Sequence, residues 1–395
     1  MQKISFLTLV LVLALFGNLF AQNNEYPHPV NNPQSSVMLF GDWVPENTHD
    51  IDFFSLPVVP SVHAIVDDVR YAWGRKTQQH NYLVHYDGYF WAMWSDGPGV
   101  HRSDDPIAHR NIIPGHDEPG QLVSYSKSKD GINWSEPRDL AGPPDDGFGW
   151  IARGFWVYDG KLLALATRYN APGYRGEGLQ LHAFEMVTGQ DREWQHKGLV
   201  YDNAMNNFSP KQIPTGEWMM SRRDMVGDVY MLVGATDDFD KWESYPVIAY
   251  QDEEFHAEEP YWFVLPDNNI VAFFRDNRRS GFLYRAFSTD NGRTWSRPVR
   301  TNFPDARSKF SGLRLSDGRY ILVSNSNPER RDPMTIAISD DGMAFHTMGF
   351  IVGNRLIDYP HVIEHDGHIF VAFNSAKQSV EVLKIKISDL DNLEN

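Results

Sequence analysis

Arginines, with histidine, tyrosine and acidic neighbours, recur in this chain at one kind of place. They stand at Arg153, Arg168-Tyr169, Arg222-Arg223-Asp224, Arg275-Asp276 and Arg307 with Lys309, and His80, Glu258-Glu259, Tyr359 and His361 lie among them. A guanidinium presents five donors in a planar fork that matches a carboxylate, so a set of them is chemistry for holding an anion. The chain as a whole is acidic, with 36 Lys and Arg against 52 Asp and Glu and a formal net charge of −16. That balance repels nucleic acid and anionic lipid in bulk, yet leaves room for a local cationic site. The alternative is that these charges are solvated, or pair as Arg223 with Asp224 and Arg275 with Asp276.

The elements that position these residues form a repeat. Six hairpins share one pattern, an apolar strand, a tight Asp/Gly/Asn turn and a second apolar strand. They are centred on Asp87-Gly88, Asp159-Gly160, Thr215-Gly216, Asp267-Asn268-Asn269, Asp317-Gly318 and Asp366-Gly367. Each turn offers residues that tolerate positive φ. A second motif follows the hairpins. Ser288-Thr289-Asp290-Asn291-Gly292-Arg293-Thr294-Trp295 fits the Asp-box pattern, and Ser128 to Trp134 and Ser339 to Phe345 are shortened copies. Degenerate copies run from Thr236 to Trp242 and end at Trp194. Starts at 128, 236, 288 and 339 lie 108, 52 and 51 residues apart, and 108 is two periods. A period of this length is one four-stranded propeller blade.

The expected fold is therefore all-β, a single propeller of four-stranded blades spanning 22–395. The strand-like stretch 44–79 supplies one blade beyond the six hairpins, so seven blades are expected, with six as the alternative. The tail Val380 to Ile387 ends one strand short, so an N-terminal strand closes the ring and removes an open edge. With strands A to D counted outward from the axis, A–B turns and Asp boxes share one face. The starts of strand A and ends of strand B share the other, the funnel face, and the arginines fall there. An Asp box reads as a structural cap in which Asp binds backbone N–H groups.

Residues 1–21, with Lys3 followed by an apolar run to Phe20 and a small Ala21, read as a cleaved signal peptide. The protein is expected to be exported, periplasmic or secreted, monomeric, and not inserted in the membrane after cleavage. Without cysteine it has neither disulfides nor thiolate zinc ligands. Its histidines lack metal-binding spacing, so no metal or other cofactor is expected, although structural Ca²⁺ is left open. The insertion from Asp96 to Gly120, with His101, His109 and His116, leaves strand B on the funnel face as a lid or as a variable loop.

Asp boxes in an exported propeller resemble those of sialidases, whose hallmarks are an Arg-Ile-Pro segment, an arginine triad, an Asp acid and a Tyr–Glu nucleophile pair. No Arg-Ile-Pro occurs here, although Arg168, Arg222 and Arg275 imitate a triad. The stretches Gly41-Asp42-Trp43-Val44-Pro45-Glu46-Asn47-Thr48-His49-Asp50 and Asp358-Tyr359-Pro360-His361-Val362-Ile363-Glu364-His365-Asp366-Gly367 resemble glycoside hydrolase family 145. These are seven-bladed α-L-rhamnosidases that release rhamnose from glucuronic acid on arabinogalactan. The resemblance implies His49 as general base, with substrate assistance, and arginines on the uronate. His80, Arg153, Arg168, Tyr169, Arg222, Glu259, Arg275 and His361 are the expected substrate-binding residues for an acidic oligo- or polysaccharide. A uronate lyase using His80 or His101, Tyr169 and Arg168 is the alternative chemistry. Non-catalytic glycan binding is the third reading.

Overall fold

The computed structural model describes residues 34–70, 77–98, 118–171, 178–188, 193–252 and 254–393. Residues 1–21, expected to form a signal peptide, and His101, His109 and His116 lie outside them. Blade I is built from β2 (Thr77–Tyr86), β3 (Tyr89–Gly97), β4 (Leu122–Ser128) and β5 (Arg138–Ala141). Blade II comprises β6 (Phe148–Tyr158), β7 (Lys161–Asn170), β8 (Gln180–Met186) and β9 (Trp194–Asp202). Blade III comprises β10 (Lys211–Gln212), β11 (Trp218–Arg223), β12 (Val229–Gly234) and β13 (Trp242–Ile248). Blade IV comprises β14 (Ala257–Val264), β15 (Ile270–Asp276), β16 (Phe282–Ser288) and β17 (Val299–Pro304). Blade V comprises β18 (Ser311–Arg314), β19 (Tyr320–Ser324), β20 (Met334–Ser339) and β21 (Thr347–Val352). In blade VI, β22 (Ile357–His365), β23 (His368–Ser375) and β24 (Ser379–Lys386) receive β1 (Val62–Asp68) as the outer strand.

All six predicted hairpins are the A–B turns of these sheets, and the N-terminal strand closes the ring as expected. Val62 pairs with Lys384 and Asp68 with Ser379, so β1 covers the edge that β24 would otherwise expose. The blade number is six rather than seven. Of the stretch 44–79 expected to supply an extra blade, the part before β1 instead continues residues 35–43 as a strap across the outside of blades IV and V. Single parallel bridges, Leu39 to Phe345 and Val58 to Phe350, attach it. Asn302 fixes it further, its side-chain oxygen accepting from the backbone N–H of Met38 (2.7 Å) and Leu39 (2.8 Å). The apolar residues that read as strands are anchors. Met38, Leu39, Ile51, Phe53 and Leu56 are buried against Phe273, Phe303 and Phe345.

The core sits between blades, since each sheet buries both faces against its neighbours. One apolar cluster fills each junction. Tyr82, Trp91 and Tyr125 meet Phe155 and Trp194 between blades I and II. Leu83, Phe90 and Trp94 meet Phe370 and Val382 between blades I and VI, which completes the circle. Among the described residues no helix is long and apolar enough to cross a membrane.

The Asp boxes are C–D turns and act as caps. In the box between β16 and β17 the Asp290 carboxylate accepts from Thr294 N (2.8 Å) and Thr294 Oγ1 (2.6 Å), while Ser288 Oγ accepts from Gly292 N (2.8 Å). Gly292 has φ 82°, and a Cβ there would run into the Met219 sulfur. The same arrangement recurs at Asp130 and Asp341. Backbone hydrogen bonds from Asn133 and Ile132 hold the Asp130 carboxyl well below the usual carboxylate range. Asp290→Ala is expected to lower stability by about 1 kcal/mol, the worth of a lost cap, while leaving activity intact. Paired urea-unfolding midpoints and activity measurements check this.

Candidate functional site

The inner strands do not run straight to the axis. The register between strands A and B slips at Gln79/Tyr82, Ala152/Gly154, Glu258/Tyr261 and Asp358/His361. Each slip is a bulge, which re-aims the bulged side chain. His80 (φ 56°), Glu259 (φ 49°) and Tyr359 (φ 57°) are held in three of these bulges in left-handed backbone, as is Arg307 (φ 53°) in the segment leading into β18, a conformation that L-residues with a side chain adopt at a cost. Four such residues at equivalent positions are a built feature, because strain of this kind persists only where surrounding structure imposes it.

The bulges and the adjoining ends of strand B bring a charged cluster together on the funnel face. Arg223 Nη1 lies 2.8 Å from Glu258 Oε1, and Arg275 Nη2 lies 3.4 Å from Glu258 Oε2. Arg275 Nη1 also donates to Glu259. Glu258 therefore links two arginines from different blades, and Arg275 links the two glutamates. Arg331 from blade V donates to Asp358 of blade VI and to the carbonyl of Arg307. Asn277, in the loop after β15, accepts from Arg275 Nη2 (2.8 Å) and Arg307 Nε (3.2 Å). Arg153, from blade II, is 1% exposed and leaves Nε and Nη1 without a hydrogen-bond partner.

Tyr359 stands among these charges, 6% exposed, with the His80 ring centroid 4.6 Å from its own. Burial and then Glu259 push the Tyr359 phenol up, while Arg331 and Arg275 oppose them. Arg275 loses charge stabilisation to burial but is held firmly protonated by Glu259 and Glu258. Asp305 shapes the turn that carries Arg307, accepting from Arg307 N at 3.0 Å. Its burial raises the carboxyl to about 7, against the pull of Arg275 and Arg331.

The expected site residues divide accordingly. His80, Arg153, Glu259 and Arg275 belong to the cluster. Arg222 does not. Its guanidinium donates to Asn203 O (2.7 Å) and lies 4.1 Å from the Tyr230 ring, because strand alternation turns it to the side opposite Arg223. Arg168 lies 3.5 Å over the Phe148 ring and pairs with Asp145 at 3.2 Å. Tyr169 is 1% exposed and donates its hydroxyl to Glu118 O. His361 faces the channel beneath the cluster, and its Nδ1 accepts from Leu83 N at 3.1 Å.

His49 lies on the strap in a short 3-10 turn, Thr48–Asp50, and precedes no extra blade. It is half-buried at the outer rim, stacked on Phe282 with centroids 4.2 Å apart, and its Nε2 lies 3.2 Å from Gly281 O. The residues that the sequence left in the background are Arg223, Glu258, Asp305, Arg331, Asp358 and Tyr359. Their signal was position: all stand at a strand-A start, at a strand-B end, or in the loops beside them.

The structure thus defines a six-bladed propeller with a strained, arginine-rich axial site. The chain belongs to the BNR repeat-like domain family, whose profile matches residues 111–371. No curated protein matches it in sequence. Among solved structures it is similar to a protein of unknown function from Dyadobacter fermentans, at 17% identity and TM-score 0.62, covering 83% of this chain and 99% of that one. It is also similar to the leech intramolecular trans-sialidase, at 13% identity and TM-score 0.62, with 84% and 71% covered. The intramolecular trans-sialidase from Ruminococcus gnavus is similar at 13% identity and TM-score 0.59, with 83% and 98% covered.

Two expectations follow. Arg223→Met strands part of the buried Glu258 charge and is expected to cost about 3 kcal/mol, whereas Arg222→Met costs about 1 kcal/mol or less. Denaturant unfolding of both variants checks the contrast. For Asp305, a carboxyl that folding raises from 3.8 to about 7 contributes stability below pH 4 that is lost as pH rises to 7. Wild type should therefore lose stability relative to Asp305→Asn between pH 4 and 7, and the difference should level off above 7. Unfolding midpoints across that range measure it.

Proposed function

We propose that the protein is an exported glycoside hydrolase acting on a glycan that bears a carboxylated sugar, with the axial cluster as its active site. The observation that carries this reading is that Glu259, paired with Arg275, and Tyr359, whose phenol feels both Glu259 and Arg275, are held in left-handed backbone. Glycosidases that cleave carboxylated sugars include sialidases with a tyrosine nucleophile. Here Tyr359 attacks the anomeric carbon as the glycosidic bond breaks, and Glu259 takes the phenolic proton, since a phenol raised by burial is inert without a base. The departing sugar oxygen takes a proton from water, and a second water then displaces Tyr359 to release the sugar and return its proton. Arg275, Arg307 and the exposed Arg279 receive the substrate carboxylate. His80 sits beside the Tyr359 ring and limits its rotation. The sialidase-like propeller and the BNR repeat-like family support a glycosidase in general.

A second reading keeps the family 145 resemblance, with rhamnose released from glucuronic acid and His49 as general base. One observation favours it. His49 rests on Gly281, in the same 277–281 loop whose Asn277 holds Arg275 and Arg307, so the rim histidine and the axial arginines share one support.

One assay separates the readings. The protein is incubated with a fluorogenic α-sialoside and with rhamnose-capped arabinogalactan, following free sialic acid, free rhamnose and near-ultraviolet absorbance. Under the axial reading, Tyr359→Phe and Glu259→Gln reduce turnover by about 10²–10⁴-fold, whereas His49→Gln changes it little. Rhamnose release abolished by His49→Gln, and indifferent to Tyr359→Phe, would establish the second reading instead. A rise in absorbance without free sugar would mark a lyase, and binding without any product would overturn hydrolysis altogether.

A further inference from the structure

Beneath the cluster, the channel is lined by a second set of side chains that the hydrolysis does not use. Tyr82, Tyr261, Lys309 and His361 follow His80, Glu259, Arg307 and Tyr359 by two positions each, so strand alternation returns them toward the axis. Lys309 is fully buried. Its Nζ lies 4.0 Å from the Tyr82 ring centroid and 4.8 Å from that of Phe208, so the side chain of blade V reaches across to rings of blades I and III. It has aromatic faces around it but no hydrogen-bond partner.

Lys211 enters the same space from blade III. Its Nζ donates to Trp262 O and lies 4.0 Å from the Tyr261 ring and 4.1 Å from the Trp262 ring. His361 completes the set. Because its Nδ1 accepts from Leu83 N, the neutral ring carries its proton on Nε2 and is a donor. Burial, then Lys309 and Lys211, hold this histidine down to about 3, and burial alone brings Lys211 to about 7. Lys211 and His361 are not fully buried, and both keep part of their surface accessible.

Counter-charge is scarce. Glu259 is the carboxylate that acts on Lys309, and it is already engaged by Arg275, while Arg153 adds a further positive charge. Burial brings Lys309 to about 7 as well, so two lysine amines that protonate near neutrality and an imidazole N–H share a desolvated space with no carboxylate of their own, and a bound anion stabilises the protonated pair.

We propose that the axial channel binds a small monovalent anion of the halide class between Lys309, Lys211 and His361. The aromatic walls and sparse point-charge donors suit a weakly hydrated spherical ion. Bidentate recognition of an oxyanion is the strength of the planar arginine fork, whereas lysine acts as a point charge. The ion neutralises Lys309 from below and so supports the glutamate and arginines above it. This does not depend on what reaction the cluster performs.

The test uses the full-length mature protein. Crystals soaked in sodium bromide should show an anomalous peak on the axis beside Lys309 Nζ. Thermal unfolding in sodium chloride, compared with sodium gluconate at equal ionic strength, should show a Tm that climbs with halide concentration, by about 3 °C over two decades. Lys309→Met should lose the halide dependence whatever its absolute Tm, since removing a buried cation can itself stabilise. If that variant does not fold, the bromide peak and the wild-type salt comparison still decide. A Tm equal in halide and gluconate, with no bromide peak on the axis, overturns the proposal.

Discussion

The buried chain of charge Arg223–Glu258–Arg275–Glu259 is the constraint around which the rest of the site is organised. Taking these groups out of water is expensive, and only mutual pairing across blades III and IV recovers the cost. The chain can exist only if two blades are held at fixed separation, which is what six tightly filled junctions provide. It also uses much of the available carboxylate. Arg153, Arg307 and Lys309 are left with little acidic company in a protein whose surface is strongly acidic overall. Surplus positive charge at the axis follows from the pairing itself, and an anionic ligand is its natural complement.

Packing supplies the rigidity that this arrangement needs. In a chain without disulfides each blade is buttressed on both faces, the Asp boxes pin the C–D turns, and β1 seals the last blade. The strap adds a further clamp over blades IV and V, the blades that contribute Glu258, Glu259, Arg275, Arg307 and Arg331. Arg285 shows how firmly it is held, since its guanidinium donates to the backbone carbonyls of Ser35, Val37 and Met343. Left-handed backbone at His80, Glu259, Arg307 and Tyr359 is sustained by that surrounding stiffness.

Most of the architecture was legible in the sequence because it is encoded locally. A tight turn between two apolar strands announces each hairpin, and Ser-x-Asp with Gly one or two residues on announces the caps at Asp130, Asp290 and Asp341. The blade number was not, since Met38, Ile51 and Phe53 carry strand-like spacing yet serve as anchors of a strap. Only tertiary partners distinguish the two. At the site, the position of His80, Arg153, Glu259 and Arg275 at strand-A starts and strand-B ends is local information, and the fold brings these four side chains together. Arg222 points away from them and its neighbour Arg223 points in, because adjacent residues of a strand face opposite sides and only the register tells which. Arg168 and Tyr169 were drawn off by Phe148, Asp145 and Glu118, contacts that lie far from them in sequence or depend on the fold of the blade.

The central claim is that the axial cluster recognises a carboxylate. Calorimetric titration of the Tyr359→Phe variant with sialic acid and with glucuronate, each beside its neutral methyl ester, measures this most directly. The account predicts that at least one acid binds more than about tenfold tighter than its ester, the worth of one charge-assisted pair, and that Arg275→Ala removes the preference. Equal affinity of acid and ester, or a preference that survives Arg275→Ala, would contradict it.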